Sequence, residues 1–292
     1  MSTKQAAAET PVLMTDEDFE NHGEVSVYWL TSASVLINSH GTTILMDPVI
    51  TPTSEDPLIS EAMDDDQTGY MPLLVRSPIY APDIHKLTAV LTTHADVDHM
   101  GFLSIRALQK LGVAFHGTPY VGKALEELGV PGEQITTHLV GETFQIEDVT
   151  VEVTDALHPW QKYFPQVYDY VYQPGDCCGY KCTCGGGVVI WNPGDSEPLD
   201  SHFTHTDADL VFMDYSEDAM ACHMGRDAAV RLSNHLIDSE LVMYHWGTFD
   251  QPAVGWCNAD PQQIRPLISR PERFHALRPG EKFVVHKNSK KG

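Results

Sequence analysis

The stretch that most limits what this chain can be is Leu91-Thr92-Thr93-His94-Ala95-Asp96-Val97-Asp98-His99-Met100-Gly101. Before it, Lys86 to Leu91 reads as a short buried strand; after it, Phe102, Ile105, Leu108 and Leu111 recur at helical spacing. His94, Asp96, Asp98 and His99 therefore fall on a strand-to-helix loop, where a rigid scaffold holds reactive groups. Imidazoles and carboxylates packed this densely repel one another or stay unsatisfied unless they share a cation. For any one of them a solvated loop, with Asp98 capping the helix, is the plainer reading. As a set they point to a metal, because suitable partners recur downstream.

Those partners follow strands. Val25–Leu30, Ser34–Ile37 and Thr43–Met46 read as a β-meander ending in Asp47-Pro48. Asp47 fits either a carboxylate supporting the metal loop or a turn-forming Asp before Pro. Val113–His116 reads as a strand, Tyr120–Leu128 as a helix, and Val149–Val153 as a strand running into His158. Gly187–Trp191 empties into Asn192-Pro193-Gly194-Asp195, and Glu240–Tyr244 leads into His245. Strand ends that each present a His or Asp converge on one rim in scaffolds of this kind.

The remaining composition sets outer limits. A formal charge of −23, from 41 acidic and 18 basic residues, argues against nucleic acid or an anionic membrane as partner. Met1 to Pro11 has no apolar signal-like core, and no run approaches the ~18 apolar residues of a spanning helix, so a cytoplasmic protein without membrane insertion is expected. Residues 1–23, with Asp16-Glu17-Asp18, read as a flexible or loosely docked arm before one domain over 24–292. The acidic, Pro-containing stretch 51–83 reads as an excursion, either a lid or a plain insertion.

The motif His94-x-Asp96-x-Asp98-His99, followed in order by His158, Asp195 and His245, resembles the metallo-β-lactamase fold superfamily from about Val25 to Val285. Tyr28-Trp29-Leu30, Ile44–Pro48 and Gly194-Asp195-Ser196 are similar to the branch holding ascorbate-6-phosphate lactonase and the N-acyl-phosphatidylethanolamine phospholipase D enzymes. The resemblance implies an α+β fold, an αββα sandwich of two mixed sheets flanked by helices, with two divalent metal ions at one edge. It implies that His94, Asp96 and His158 hold one ion, that Asp98, His99 and His245 hold the other, and that Asp195 bridges them.

One departure from that family matters: Asp96 stands where a His is usual. The substitution makes each ligand set harder, leans the site from Zn towards Mn or Fe, and raises the question whether Asp96 binds directly or through water. Three Asp and one hydroxide neutralise two divalent ions, so water activation should need a higher pH than at a His-rich zinc centre. The resemblance implies a dinuclear hydrolase that uses hydroxide held by the ions, with Asp98 orienting it and a lactone, ester or amide as small-molecule substrate. The alternative is a diiron oxidoreductase on the same fold. A binding module without catalysis is disfavoured by seven intact ligand positions.

Other residues stay open. His223, in Cys222-His223-Met224-Gly225, resembles a His-Met motif at the active-site rim of related hydrolases and is a candidate catalytic residue; it also suits a surface position before the helix over Asp227–Leu236. Trp160, Tyr163 and Phe164, and likewise Trp246 and Phe249, suit a pocket wall or ordinary core. Between Tyr163 and Gly225 the only basic residue is Lys181, which favours a neutral substrate over a phosphorylated one. Cys177, Cys178, Cys182 and Cys184 fit buried small hydrophobes, a structural metal clip or a redox pair. A homo-oligomer is compatible with everything above.

Overall fold

The structure, a computed structural model, describes residues 6–53, 55–59, 61, 73–217, 220–249 and 258–288. Strand β1 (Val25–Thr31) shows how the layers arise. Val25, Val27 and Trp29 enter one apolar cluster, Tyr28 and Leu30 another, and all five are buried. A strand apolar on both faces has to be covered on both.

The first sheet has the order β14-β1-β2-β3-β4-β5-β6, where β14 is Lys282–Val284. Strands β2 (Ser34–Ser39) and β3 (Thr42–Met46) complete the antiparallel meander. The sheet then runs parallel through β4 (Ala89–Leu91), β5 (Ala114–Gly117) and β6 (Ile135–Thr137). The second sheet repeats the plan. Antiparallel β7 (Thr143–Ile146), β8 (Val149–Asp155), β9 (Cys178–Thr183) and β10 (Val189–Asn192) are followed by parallel β11 (Leu210–Met213), β12 (Glu240–Met243) and β13 (Phe274–His275).

Val27, Val35, Ile37 and Ile44 share one core with Val151, Ile190, Val211 and Leu241 of the second sheet. On the other face of the first sheet, Leu36, Leu45, Val90 and Phe115 pack with Ile105 and Leu108 of α1 (Phe102–Leu108) and with Val121 and Leu125 of α2 (Pro119–Glu127). Ala229 and Leu232 of α3 (Arg226–His235) join the main core. The αββα sandwich is thus the observed architecture. Among the described residues no helix is long and apolar enough to cross a membrane.

Three local expectations are sharpened or changed. Of the stretch read as a flexible or loosely docked arm, the described part, from residue 6, is docked: Met14 and Phe19 are buried with the outer face of the first sheet, and the Ala8 N–H donates to Gly247 O at 3.2 Å. Apolar side chains spaced through an acidic stretch suffice to anchor it. The strand expected over Lys86–Leu91 pairs only from Ala89. The helix expected to reach Leu111 ends at Leu108 in a 3-10 turn (Gln109–Leu111) closed by Gly112 at φ 71°, which leaves Leu111 exposed.

Within 51–83, residues 54, 60 and 62–72 lie outside the described residues, as does much of the predicted excursion. Its described parts are fastened. The Leu74 N–H donates to Thr248 O at 2.6 Å, and the buried Glu61 carboxylate accepts from the N–H groups of Thr51, Leu103 and Ser104. Glu61 thereby supplies acceptors to the first turn of α1, directly after the His/Asp loop.

Candidate metal centre

Strands that run in the same direction within each sheet deliver their carboxyl ends to one edge. Asp47 follows β3, the His94–His99 loop follows β4, His158 follows β8, Asp195 follows β10, and His245 follows β12. The backbone is bent hard at these exits: Asp47 has φ 47° and His245 φ 57°, left-handed conformations that non-glycine residues avoid. At Gly194 (φ 66°) a Cβ would lie 2.6 Å from Cys178 O, so only glycine lets β10 turn into Asp195.

Five imidazoles meet in a closed ring. Centroid separations run 4.0 Å from His94 to His99, 5.2 Å from His99 to His245, 5.8 Å from His245 to His223, 4.6 Å from His223 to His158, and 5.1 Å from His158 to His94. Carboxylates sit among them. Asp96 Oδ2 is 3.3 Å from both His94 Nε2 and His158 Nε2. Asp195 Oδ2 is 3.2 Å from His99 Nε2 and 3.4 Å from His223 Nδ1, and Asp98 Oδ2 is 3.3 Å from His245 Nε2. Two donor atoms bound to one tetrahedral ion, each about 2.0–2.2 Å from it, lie about 3.3–3.6 Å apart. The donors are therefore spaced as ligands of shared cations.

The outward-facing nitrogens fix which atoms point inward. His158 Nδ1 donates to the Cys222 carbonyl at 2.8 Å; a carbonyl can only accept, so in the neutral ring Nε2 carries the lone pair and faces the centre. His99 Nδ1 donates to Asp47 Oδ2 at 2.9 Å. The Thr93 hydroxyl also donates to that oxygen (2.7 Å), which leaves its own oxygen to accept from His94 Nδ1 at 3.0 Å. His245 Nδ1 donates to Asp214 Oδ2 at 3.1 Å. Nε2 of His94, Nε2 of His99 and Oδ1 of Asp195 are among the buried polar atoms of the described residues that have no hydrogen bond. Buried polar atoms left in that state are costly unless a cation takes their lone pairs. The residues fit divalent ions, and outer partners of this type orient ligands and raise their basicity.

Electrostatics agree with the geometry. Burial pushes the Asp195 carboxyl up, but His245, His99 and His223 outweigh it and hold the group well below the usual carboxylate range. Asp96 is also held well below that range, with burial outweighed by His94 and His158. Converging sets, with one donor atom from each residue and all atoms within 4.8 Å, are His94–His158–Asp195, Asp98–His99–His245, Asp195–His223–His245 and His158–Cys222–His223. Asp195 belongs to two of the sets, one with His94 and His158 and the other with His223 and His245.

Every residue singled out for the metal loop and its later partners is thus brought together, and His223 joins them rather than the surface. Asp47 supports the metal loop while also shaping the strand exit. Trp160 and Phe164 are only half-buried and Tyr163 is 42% exposed, so they line the edge rather than the core; Trp246 stacks on Trp29 at 5.6 Å within the core.

The cysteine clip is not formed. Cys178, Cys182 and Cys184 face the core between the sheets while Cys177 packs separately with Ala156 and Tyr172, and all four are free. Alternation along β9 buries these thiols, and burial pushes Cys178 and Cys184 up to about 12, away from the thiolate a metal would need.

Two contributors went unread in the sequence. Asp214 follows β11 as a single polar residue, like any turn Asp. Glu61 reaches α1 from a segment without pattern.

An αββα sandwich with a His/Asp cluster at its strand ends defines a metal-centred protein class. The model of the beta-lactamase superfamily domain matches residues 42–246, and the chain belongs to that family. A curated relative, the UPF0173 metal-dependent hydrolase of Myxococcus xanthus, is 25% identical over 197 residues, 68% of this chain. That match spans 59% of the relative's length. Among solved structures, a possible metal-dependent hydrolase from Veillonella parvula superposes with a TM-score of 0.69 at 16% identity, covering 90% of this chain and 100% of its own. The isothiocyanate hydrolase from Delia radicum gut bacteria gives 0.67 at 18%, covering 90% and 99%. At these identities the two structures carry the fold.

Proposed function

We propose that this protein is a metal-dependent hydrolase of a small, uncharged molecule, with a lactone or related ester or amide as the leading substrate class. The observation that carries the reading is the set of buried, inward-turned Nε2 atoms at His94 and His99, beside an Asp195 shared between two converging groups. His94, Asp96 and His158 would hold one divalent ion, Asp98, His99 and His245 a second, with Asp195 between them. Such ions would lower the pKa of bound water and polarise the substrate oxygen.

The chain's own residues would do the rest. Asp98, partly exposed beside His245, orients the attacking water. His223, 13% exposed and 3.4 Å from Asp195, would pass a proton to the leaving group. The substrate preference follows from charge and exposure at the edge. Lys162 is paired with Glu197 and Arg226 with Glu217, each at 2.7 Å, so neither cation is left for a phosphate. Tyr163, Val167 and Tyr170 instead offer exposed apolar surface after His158.

A second reading, a diiron oxidoreductase, draws on the two imidazoles and one carboxylate at His94, Asp96 and His158. A panel of lactones, esters and amides tested with metal-loaded protein, alongside oxygen uptake and Mössbauer spectra, separates the two. Hydrolysis without oxygen consumption at a redox-silent centre supports the first. An oxygen-sensitive diiron signal with no hydrolysis of the panel replaces it with the second.

A further inference from the structure

Asp96 has an outer side that the ligand reading does not use. Tyr172 OH donates to Oδ1 at 2.7 Å, and Trp160 Nε1 donates to Oδ2 at 2.7 Å, the oxygen that also faces His94 and His158. We propose that Trp160 and Tyr172 are positioning residues for Asp96, and that this pair of donors is why a carboxylate stands at position 96. The inference rests on the reading of His94, Asp96 and His158 as a metal site.

The chemistry of the donors makes the case. An indole N–H can only donate. An imidazole at position 96 that turned one nitrogen to a cation would keep only an N–H on the other, and could not accept from Trp160. A carboxylate offers about four lone-pair sites, enough to face the imidazoles and take both donors. With each oxygen accepting a hydrogen bond, the group cannot rotate freely, and Oδ2 is presented to the centre as a single-atom ligand. The shorter reach of Asp is then offset by fixed aim.

The donors are themselves held. Tyr172 is buried, its N–H donates to Gln161 Oε1 at 3.2 Å, and its ring meets Tyr120 edge-on at 5.2 Å. Trp160 packs edge-on against Tyr168 at 4.7 Å. The segment from 160 to 172 is thus closed on itself at both ends by one carboxylate, so the wall of the site and its metal loop are joined at Asp96.

The test uses full-length, chelator-stripped protein as wild type, Trp160→Phe, Tyr172→Phe and the double variant, each keeping ring volume. Metal affinity is read by competition with a chromophoric chelator, and ligand geometry by the visible spectrum of the Co(II) form. Each single variant should weaken one of two binding events by about 10–100-fold, the usual effect of removing a ligand's outer partner, and shift the Co(II) bands while the other event is unchanged. In an Asp96→Ala background, Tyr172→Phe should have no further effect on affinity.

Wild-type affinity and unchanged spectra in the variants overturn the inference and leave the metal centre standing. An effect of Tyr172→Phe that persists undiminished in Asp96→Ala also overturns it, because the tyrosine would then act elsewhere. If wild type binds no metal, both readings fall.

Discussion

Asp47 is the residue whose change should be felt furthest beyond its own contacts. It lies fully buried, accepting from the Thr93 N–H at 2.8 Å, the Thr93 hydroxyl at 2.7 Å and His99 Nδ1 at 2.9 Å. Asp47→Asn keeps volume and shape, and Asn tolerates φ 47° at least as well as Asp, so the backbone has no reason to move. The new amide N–H, placed at the Oδ2 position, meets the His99 Nδ1–H donor to donor. His99 must then move its proton to Nε2, where the lone pair had faced the centre. The Thr93 hydroxyl loses its acceptor in the same step and turns its hydrogen towards His94 Nδ1, pressing that ring the same way. The flipped amide spares His99 but strands the buried Thr93 N–H, at about 1–3 kcal/mol.

A single lost outer partner weakens metal binding by about 10–100-fold, which is about 1.4–2.8 kcal/mol. Because two imidazoles are affected, the upper end is expected. The assay is chelator competition, backed by thermal unfolding of apo and metal-saturated protein. The stabilisation added by metal should shrink by the same amount, while apo Asp47→Asn melts close to apo wild type. Wild-type affinity in Asp47→Asn would refute the idea that Asp47 sets these two tautomers.

Other outcomes follow from the same contacts. Asp195→Ala and His158→Ala should each lose turnover and bound metal while their apo forms keep the wild-type circular dichroism, since the core between the sheets does not use these residues. Arg273 is buried and donates to the carbonyls of Ser269, Leu236, Ser239 and Ser233 near the end of α3; Arg273→Met, which strands several of them, should cost about 3–5 kcal/mol in urea unfolding, and a loss under 1 kcal/mol would contradict this role. His116 is lowered to about 4 by burial and by neighbouring His138. The unfolded chain therefore takes up this proton first as pH falls from about 6.5, and stability is lost down to about pH 4, by up to about 3 kcal/mol. His116→Gln should flatten that limb of the stability–pH curve, and a curve parallel to wild type would show that His116 does not contribute.

The sequence exposed the layers and most of the centre for a local reason. Strands apolar on both faces announce covered sheets, and His94, Asp96, Asp98 and His99 are dense enough in one loop to require a common cation. What stayed hidden depends on distance along the chain. The donors to Asp96 come from Trp160 and Tyr172, and in sequence an aromatic residue near a site reads as wall or core alike. Asp214 is one acidic residue after one strand and gains meaning only when His245 arrives beside it. The cysteines' spacing left a buried, a metal-clip and a redox reading open, and the structure supports the first: β9 alternation puts Cys178 and Cys182 into the core, and Cys177 packs apart with Ala156 and Tyr172. The arm's charges left open whether it docks, and they mask the two anchors, Met14 and Phe19.

Metal content measured by mass spectrometry on protein purified without chelators bears most directly on the central claim, that His94, Asp96, Asp98, His99, His158, Asp195 and His245 gather around a pair of cations. About two divalent ions per chain, lost together with activity in Asp195→Ala, is the predicted result. A protein that turns over substrate with no bound metal, or whose metal survives Asp195→Ala unchanged, would contradict it.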